Sequence, residues 1–426
     1  MNYPVVLFGF VLTLSSSFGQ THFISLFNEA WRTEFNLSHG EIGALYSAAT
    51  LCSAICLIYL GKLIDSIDLR LYTACVMLGL GIAAWSMTGA DSLLLLGASF
   101  FLLRLCGQGL SGHVGLTTVS RYAKQRRGMS LSICGLGFSV GESILPASVA
   151  MLLGWLSWRQ IWQGVAWLEV LVALLLALWL LKRFYPSADE VSEQVLSGQN
   201  FSAQDSSELE TAKQNSAEQE VAVVSSGWRR RQVLRDTGFW LMAPAMFAPS
   251  MFITAFFFHQ QSLAGYKSIE FSFWAATIVG YSVSSIVMSL AGGAAVDRWG
   301  AKRIVSFMLL PLLASCWMVG TDLPMVSLLF FALMGASQGL YVPASGVLWV
   351  ELYGTEHIGA IRALIHACMV FASALGPVSF GVLLDAGMSW SGLLWVSMIW
   401  LAVASLLLIA GLKKAGMQEQ ASPSLT

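Results

Sequence analysis

Apolar positions run together in long stretches broken by short polar connections. Twelve stretches, near residues 4–27, 42–63, 71–90, 93–119, 129–153, 160–182, 238–261, 271–294, 303–320, 325–350, 361–384 and 391–412, each come up to about the 20 residues that a helix needs to cross a bilayer core. A buried soluble core would need polar surface between such runs, and most of the connections hold only a few residues. The pattern predicts an all-α polytopic membrane protein with twelve transmembrane helices, numbered here as spans 1 to 12.

One stretch interrupts the pattern. Residues 184–228 carry many acids and little apolar content, too little to form a core. The expected layout is a six-helix bundle over 1–183, a disordered cytoplasmic linker over 184–235, a second six-helix bundle over 236–414 and a tail over 415–426. Landmarks recur across the linker: Gly61 as Gly293, Gln108-Gly109 as Gln338-Gly339, Gly128 as Gly359, Pro146 as Pro377 and Trp158 as Trp390. A nearly constant offset over five landmarks means that one unit was duplicated, and paired halves in a membrane chain are the construction of secondary transporters. Pro146 and Pro377, at matching places in spans 5 and 11, are expected to bend their helices.

Composition agrees with the spans: 56% of residues are hydrophobic and 11% charged, against about a quarter charged in soluble chains. Charge then sets the expected orientation. With the N-terminus inside, only Arg32, Arg159 and Lys267 fall in outer loops, Arg104 lies within a span, and the other Lys and Arg residues all lie inside. Both termini are therefore expected in the cytoplasm, in a plasma membrane of the bacterial inner-membrane kind. The first span lacks the basic leader of a cleavable signal peptide. All seven cysteines sit within apolar spans, so no disulfide framework is implied. Trp228 and Arg229 to Arg231 lead into span 7 as a positive flank or an anionic-lipid contact.

Polar groups inside the spans are the candidates for chemistry. Arg104 stands near the bilayer centre, where an unpaired cation costs at least about 2.5–3.5 kcal/mol. Gln108 and Ser111 share its α-helical face at i+4 and i+7. Glu142 has a matching depth in span 5. Two readings stay open: Arg104 binds an anionic substrate while Glu142 exchanges a proton, or the two form a permanent structural ion pair. Span 1 offers Thr13, Ser16, Gln20 and His22. Span 7 ends with His259, Gln260 and Gln261, and His259 is a candidate for titration. Tyr281 of span 8 and Gln338, Tyr341 and Ser345 of span 10 are uncharged groups that could orient a polar solute. Glu169 and His113 are intramembrane, His113 on the face opposite Arg104. Arg362 and His366 suit gating or packing.

The loop Gly61 to Arg70 (GKLIDSIDLR) and the loop Gly293 to Arg303 (GAAVDRWGAKR) carry one signature. With twelve spans, two halves and this doubled loop, the chain resembles the major facilitator superfamily, and the resemblance covers nearly its whole length. The second copy matches through Gly293, Asp297, Arg298, Gly300, Lys302 and Arg303. The first keeps Gly61, Asp65 and Arg70 but has Ser66 and Asp68 where Arg and Gly are expected. The resemblance implies two rocking bundles, with the loop Asp latching the cytoplasmic side when the transporter faces out. Arg104 to Gly109 is similar to the family's span 4 pattern. Gly137-x-x-x-Gly141 is followed by Glu142 rather than Pro, a departure from drug/proton antiporters. The mix is closer to prokaryotic monocarboxylate and oxalate/formate-like members.

The expectation is a monomeric secondary transporter in the lipid bilayer, with proton symport of a small organic anion of monocarboxylate kind. Arg104 would attract the anion, Gln20, Gln108, His259, Gln260, Tyr281, Gln338 and Tyr341 would orient it, and Glu142 with His259 would carry protons. The alternative is a proton-coupled antiporter exporting drugs or metabolites. A membrane sensor, or a rhomboid-like protease suggested by Gly109-Leu110-Ser111-Gly112, is a remote one. No zinc, P-loop or dinucleotide pattern appears. No enzyme activity, cofactor, metal or nucleic-acid partner is expected.

Overall fold

The structure, a computed structural model, describes residues 3–123, 126–185, 228–323, 325–354 and 356–421. Most of the expected linker, 186–227, lies outside the described residues. Eleven helices are long and apolar enough to cross a bilayer, and the bent pair Tyr3–Gly19 and Thr21–Phe35 makes twelve. They follow as span 2 His39–Asp65, span 3 Leu69–Thr88, span 4 Leu93–Tyr122, span 5 Gly128–Leu152 and span 6 Trp158–Phe184. The second half holds span 7 Thr237–Phe258, span 8 Phe271–Trp299, span 9 Ala301–Val319, span 10 Val326–Tyr353, span 11 Ile358–Asp385 and span 12 Trp390–Ala415. The protein is a multi-pass, all-α membrane protein.

Short polar residues fix where the helices begin. Ser38 and Glu41 form a reciprocal cap on span 2, Ser157 and Gln160 do the same for span 6, and Asp68 and Asp236 accept the first N–H groups of spans 3 and 7. Each supplies acceptors for backbone donors that have no partner within the helix. Asp236 also accepts from the Tyr353 hydroxyl at 2.8 Å, tying the start of span 7 to the end of span 10. Outside the spans, Lys267 donates to Asp322 at 2.7 Å and holds its carboxyl below the usual carboxylate range.

Two large apolar cores result, one drawn almost wholly from residues 8–181 and one from residues 233–408, beside a small cluster of Val5, Val119, Ala123 and Cys134. Glycines set the closest helix approaches. A Cβ on Gly137 would meet the Phe10 carbonyl of span 1 at 2.6 Å, and one on Gly339 would meet the Ser285 carbonyl of span 8 at 2.5 Å. Phe258 crosses the divide: it ends span 7 yet belongs to the first core, its ring 4.7 Å from that of Tyr46.

Pro146 and Pro377 lie inside helices that are continuous over Arg127–Leu152 and Ile358–Asp385. The sharp break, 48°, is in span 1 at Gln20, whose backbone is extended (φ −85°, ψ 155°) between a 3-10 turn and the next helix. Finally, the last helix continues to Ala421 rather than ending near 412.

Candidate functional site

The break in span 1 builds the site. An extended residue cannot continue the i to i−4 ladder, so carbonyls near it are free to accept from side chains. Gly19 O accepts from Arg104 Nη1 at 3.2 Å. The approach depends on Gly19, because a Cβ there would lie 2.8 Å from Gly107 Cα of span 4. Arg104 sits in a π-helical segment, Leu103–Ser111, a rare form that is frequent at functional sites. Ser111, like Arg104, faces span 1, where it donates to Leu12 O at 2.8 Å.

The guanidinium carbon of Arg104 lies 5.1 Å from the centroid of the Tyr46 ring, a cation–π contact. Arg104 is 2% exposed, and its Nε has no hydrogen-bond partner. No carboxylate of the described residues forms an ion pair with it, so of the two open readings the permanent Arg104–Glu142 ion pair is not made. Glu142 instead meets His22 Nδ1 at 3.8 Å and accepts from the Ser282 hydroxyl at 3.2 Å. The reason is direction: Arg104 turns toward spans 1 and 2, while Glu142 turns toward the seam with span 8. The Thr21 and Tyr46 hydroxyls, 2.6 Å apart, lie between these groups along span 1. Thus Arg104, Tyr46, Thr21, His22, Glu142 and Ser282 form one cluster from both halves. Tyr46, Thr21 and Ser282 escaped the sequence reading, since single hydroxyls in helices carry no periodic signal.

The other candidates divide by place. Gln20 is at the break, donating weakly to Ser16 at 3.5 Å. Gln108 is half-buried in the π segment, its backbone beside Gly19. Tyr281 is buried with its ring 5.1 Å from Phe257. Gln338 is half-buried on span 10, and the Tyr341 hydroxyl donates to Met369 Sδ of span 11 at 3.2 Å. His259 and Gln260 make their contacts in the seam between the halves. His259 Nε2 bonds Pro377 O at 2.8 Å, its ring 5.7 Å from that of His39, and Gln260 Nε2 donates to Ser25 at 2.8 Å. Polar groups of span 1 and of the segment after span 7 thus meet at this seam.

That seam closes one end of the molecule, here the far face, opposite the motif loops. Asn28 Nδ2 donates to Phe258 O at 2.5 Å, His39 and Gly40 N–H groups donate to Asp385 at 3.0 and 2.6 Å, and Ser47 donates to Ala374 O at 2.5 Å. A Cβ on Gly43 would lie 2.7 Å from Pro377 O. Trp158 and Trp390, the repeated landmarks, donate to Glu34 and Ser262 within their own halves.

At the motif face the following contacts lie within one half or the other. Asp65 pairs with Arg121 of span 4, Gly61 O bonds His113 Nε2 at 3.1 Å, and Arg70 donates to Tyr185 O at 2.6 Å. In the second copy Gly300 takes a positive φ of 82°, a conformation that suits glycine. The N–H of Ala301 beside it donates to Glu351 at 3.3 Å. Arg298 lies over the Trp299 ring. Gly293 has open space around it, while Asp297 is exposed. Lys302 and Arg303 begin span 9. Arg362 donates to Gly346 O at 3.2 Å, a contact within the second half.

The sequence profile of the Major Facilitator Superfamily matches residues 9–280 and 264–423. A curated relative, the "Probable L-galactonate transporter" of Escherichia coli (strain K12), is 27% identical over 156 residues, which are 35% of this chain and 33% of that protein. The match thus spans about a third of the relative's length. Among solved structures, the nucleoside transporter NupG aligns with a TM-score of 0.68 at 12% identity, covering 97% of this chain and 98% of its own. A bacterial homolog of the human lysosomal transporter Spinster, inward-facing and occupied, aligns with a TM-score of 0.68 at 13% identity, covering 99% and 98%. At such identities these two show the fold alone. Twelve spans in two halves, the doubled motif loops and a profile match across nearly the whole length agree: the chain belongs to the major facilitator superfamily, and is a secondary transporter of small molecules rather than an enzyme.

Proposed function

We propose that this transporter carries a small organic anion, a hydroxylated monocarboxylate by preference, in symport with protons. The observation that carries the reading is Arg104: a buried guanidinium with no carboxylate partner and an unused Nε. A cation left unneutralised in hydrocarbon costs at least about 2.5–3.5 kcal/mol, and an incoming carboxylate would offset that with charge-assisted, two-pronged hydrogen bonds. The groups of this region favour a substrate with hydroxyls: Gln20 and Gln108 can donate and accept, as can the Thr21 and Ser282 hydroxyls. The L-galactonate named for the curated relative is such a compound. The resemblance to monocarboxylate-like members points to the same chemistry.

Glu142 serves as the proton site. It borders the anion cluster, touches both halves through His22 and Ser282, and would lose or gain these partners as the bundles rock. With the motif face in the cytoplasm, as the Lys and Arg bias predicts, the sealed far face makes this an inward-facing state. Arg104 is closed off by Tyr46 and Gly19 here, so the anion reaches it as span 1 moves at its break. The intra-half pairing of Asp65 with Arg121 suits that state, because a latch across the motif face belongs to the opposite one.

The test is ligand-induced thermal stabilisation of the protein in lipid nanodiscs, with L-galactonate and lactate as probes. At least one acid should raise the melting temperature of the unmodified protein, and Arg104→Ala should abolish that rise while retaining the monodisperse fold. Equal stabilisation of the two proteins overturns the reading.

A further inference from the structure

We infer that Glu169 of span 6 is a second proton-binding site, set behind the anion cluster and acting on the hinge of span 1. It stands eleven residues after Trp158 in a span whose far-face end is that residue, just as Arg104 stands eleven after Leu93 in span 4. It is 0% exposed, and the one polar group against its carboxyl is the Ser15 hydroxyl, which falls short of a well-formed hydrogen bond. An ionised carboxylate in such a place has neither water nor a counter-charge, whereas a neutral acid costs far less to bury. The carboxyl therefore occupies this packing with its proton on.

The local backbone is as unusual as the side chain. Residues Leu168–Ala173 form a π-helical turn, and the other π segment among the described residues is the one that holds Arg104. The turn packs on spans 1 and 3: a Cβ on Gly81 of span 3 would lie 4.0 Å from Glu169 Cβ, and the Ser15 hydroxyl of span 1 is the polar group beside the carboxyl. Ser15 is the last α-helical residue before the 3-10 turn Ser16–Gly19 and the break at Gln20.

Among the described residues, no charged group of its own span or of spans 1 and 3 packed on it sits level with it; Arg104, at the same depth, belongs to span 4 and is turned to Gly19 O and the Tyr46 ring. On span 1 the titratable residues flanking Ser15 in sequence are Tyr3 and, beyond the bend, His22, with Glu29, Arg32 and Glu34 farther on. Span 3 carries Arg70, Tyr72 and Cys75, the last six residues from Gly81, about 9 Å along a helix. On its own span Arg159, Lys182 and Arg183 stand near the ends. Loss of the proton to water would thus leave an uncompensated charge that this packing cannot hold. It would favour an arrangement in which Ser15 or water reaches the carboxylate, and so a different angle at the span 1 hinge that supplies Gly19 to Arg104. The inference rests on reading the transport as proton-coupled.

The test needs no substrate, so its failure is separable from failure of the anion reading. Infrared spectra and dye-monitored alkaline titration would be recorded on the full chain in lipid nanodiscs. Glu169→Gln should lose one protonated-carboxyl C=O band and release one proton fewer than the unmodified protein, and the change should add to that of Glu142→Gln. Glu169→Asp, a guard against a misfolded Gln variant, should keep a band at shifted frequency. Spectra and proton counts that match the unmodified protein in both Glu169 variants overturn the inference.

Discussion

The face of the Tyr46 ring lies 5.1 Å from the Arg104 guanidinium carbon, and a desolvated contact of this kind is worth about 2 kcal/mol. Its hydroxyl makes a separate bond with Thr21, worth about 1 kcal/mol net. The two contributions can be parted. Tyr46→Phe should weaken probe-acid binding about five-fold or less, whereas Tyr46→Leu, which removes the π face, should weaken it at least ten-fold, since about 1.4 kcal/mol is a factor of ten. Titration calorimetry checks this, and equal losses would show that the ring face contributes nothing. The position of Arg104 was legible because a charge in a 30-residue apolar helix has to be accommodated. Its partners were not: Tyr46 and Gly19 O come from other helices, and nothing in the spacing of span 4 names them.

Among elements, span 1 matters most. Its apolar run reads as one continuous helix, yet it divides at Gln20, and Gly19 presses against the backbone of span 4. Gly19→Ala would place a methyl 2.8 Å from Gly107 Cα, and such overpacking costs about 1–3 kcal/mol. A lowered melting temperature is expected, together with weaker acid binding because Gly19 O moves from Arg104; an unchanged protein on both measurements would refute the role given to this contact. The π segment of span 4 was hidden for a related reason. Apolar periodicity is too coarse in an all-apolar solvent to report one extra residue in a turn, although Arg104 and Ser111 do both bond carbonyls of span 1.

Across the whole molecule, small residues and backbone groups bring spans 2 and 11 of the two halves together. Asp385 at the end of span 11 accepts the His39 and Gly40 N–H groups at the start of span 2, where a negative charge also favours the positive helix end. Asp385→Ala removes both and should shift the population toward opening of the far face by about ten-fold, the effect of about 1.4 kcal/mol on a two-state equilibrium. Spin-label distances between the far-face ends of spans 2 and 11 would lengthen; an unchanged distribution would remove Asp385 from the gate. Phe258, reaching from span 7 into the first core, is a second closure element of the same seam.

The linear order of residues was enough to determine the solvent, the helical spans, the duplication and which spans carry a buried charge. Each of these follows from local composition: a bilayer forces every crossing to be a helix of set length, and a copied unit repeats its landmarks at one offset. Tertiary structure alone decided which side chains meet. His22 rather than Arg104 faces Glu142, His259 and Gln260 seal a seam rather than line the cluster, and Glu169 sits without a counter-charge. Those outcomes depend on helix rotation, on the break at Gln20 and on close approaches at glycine, which arise from packing between segments far apart in the chain.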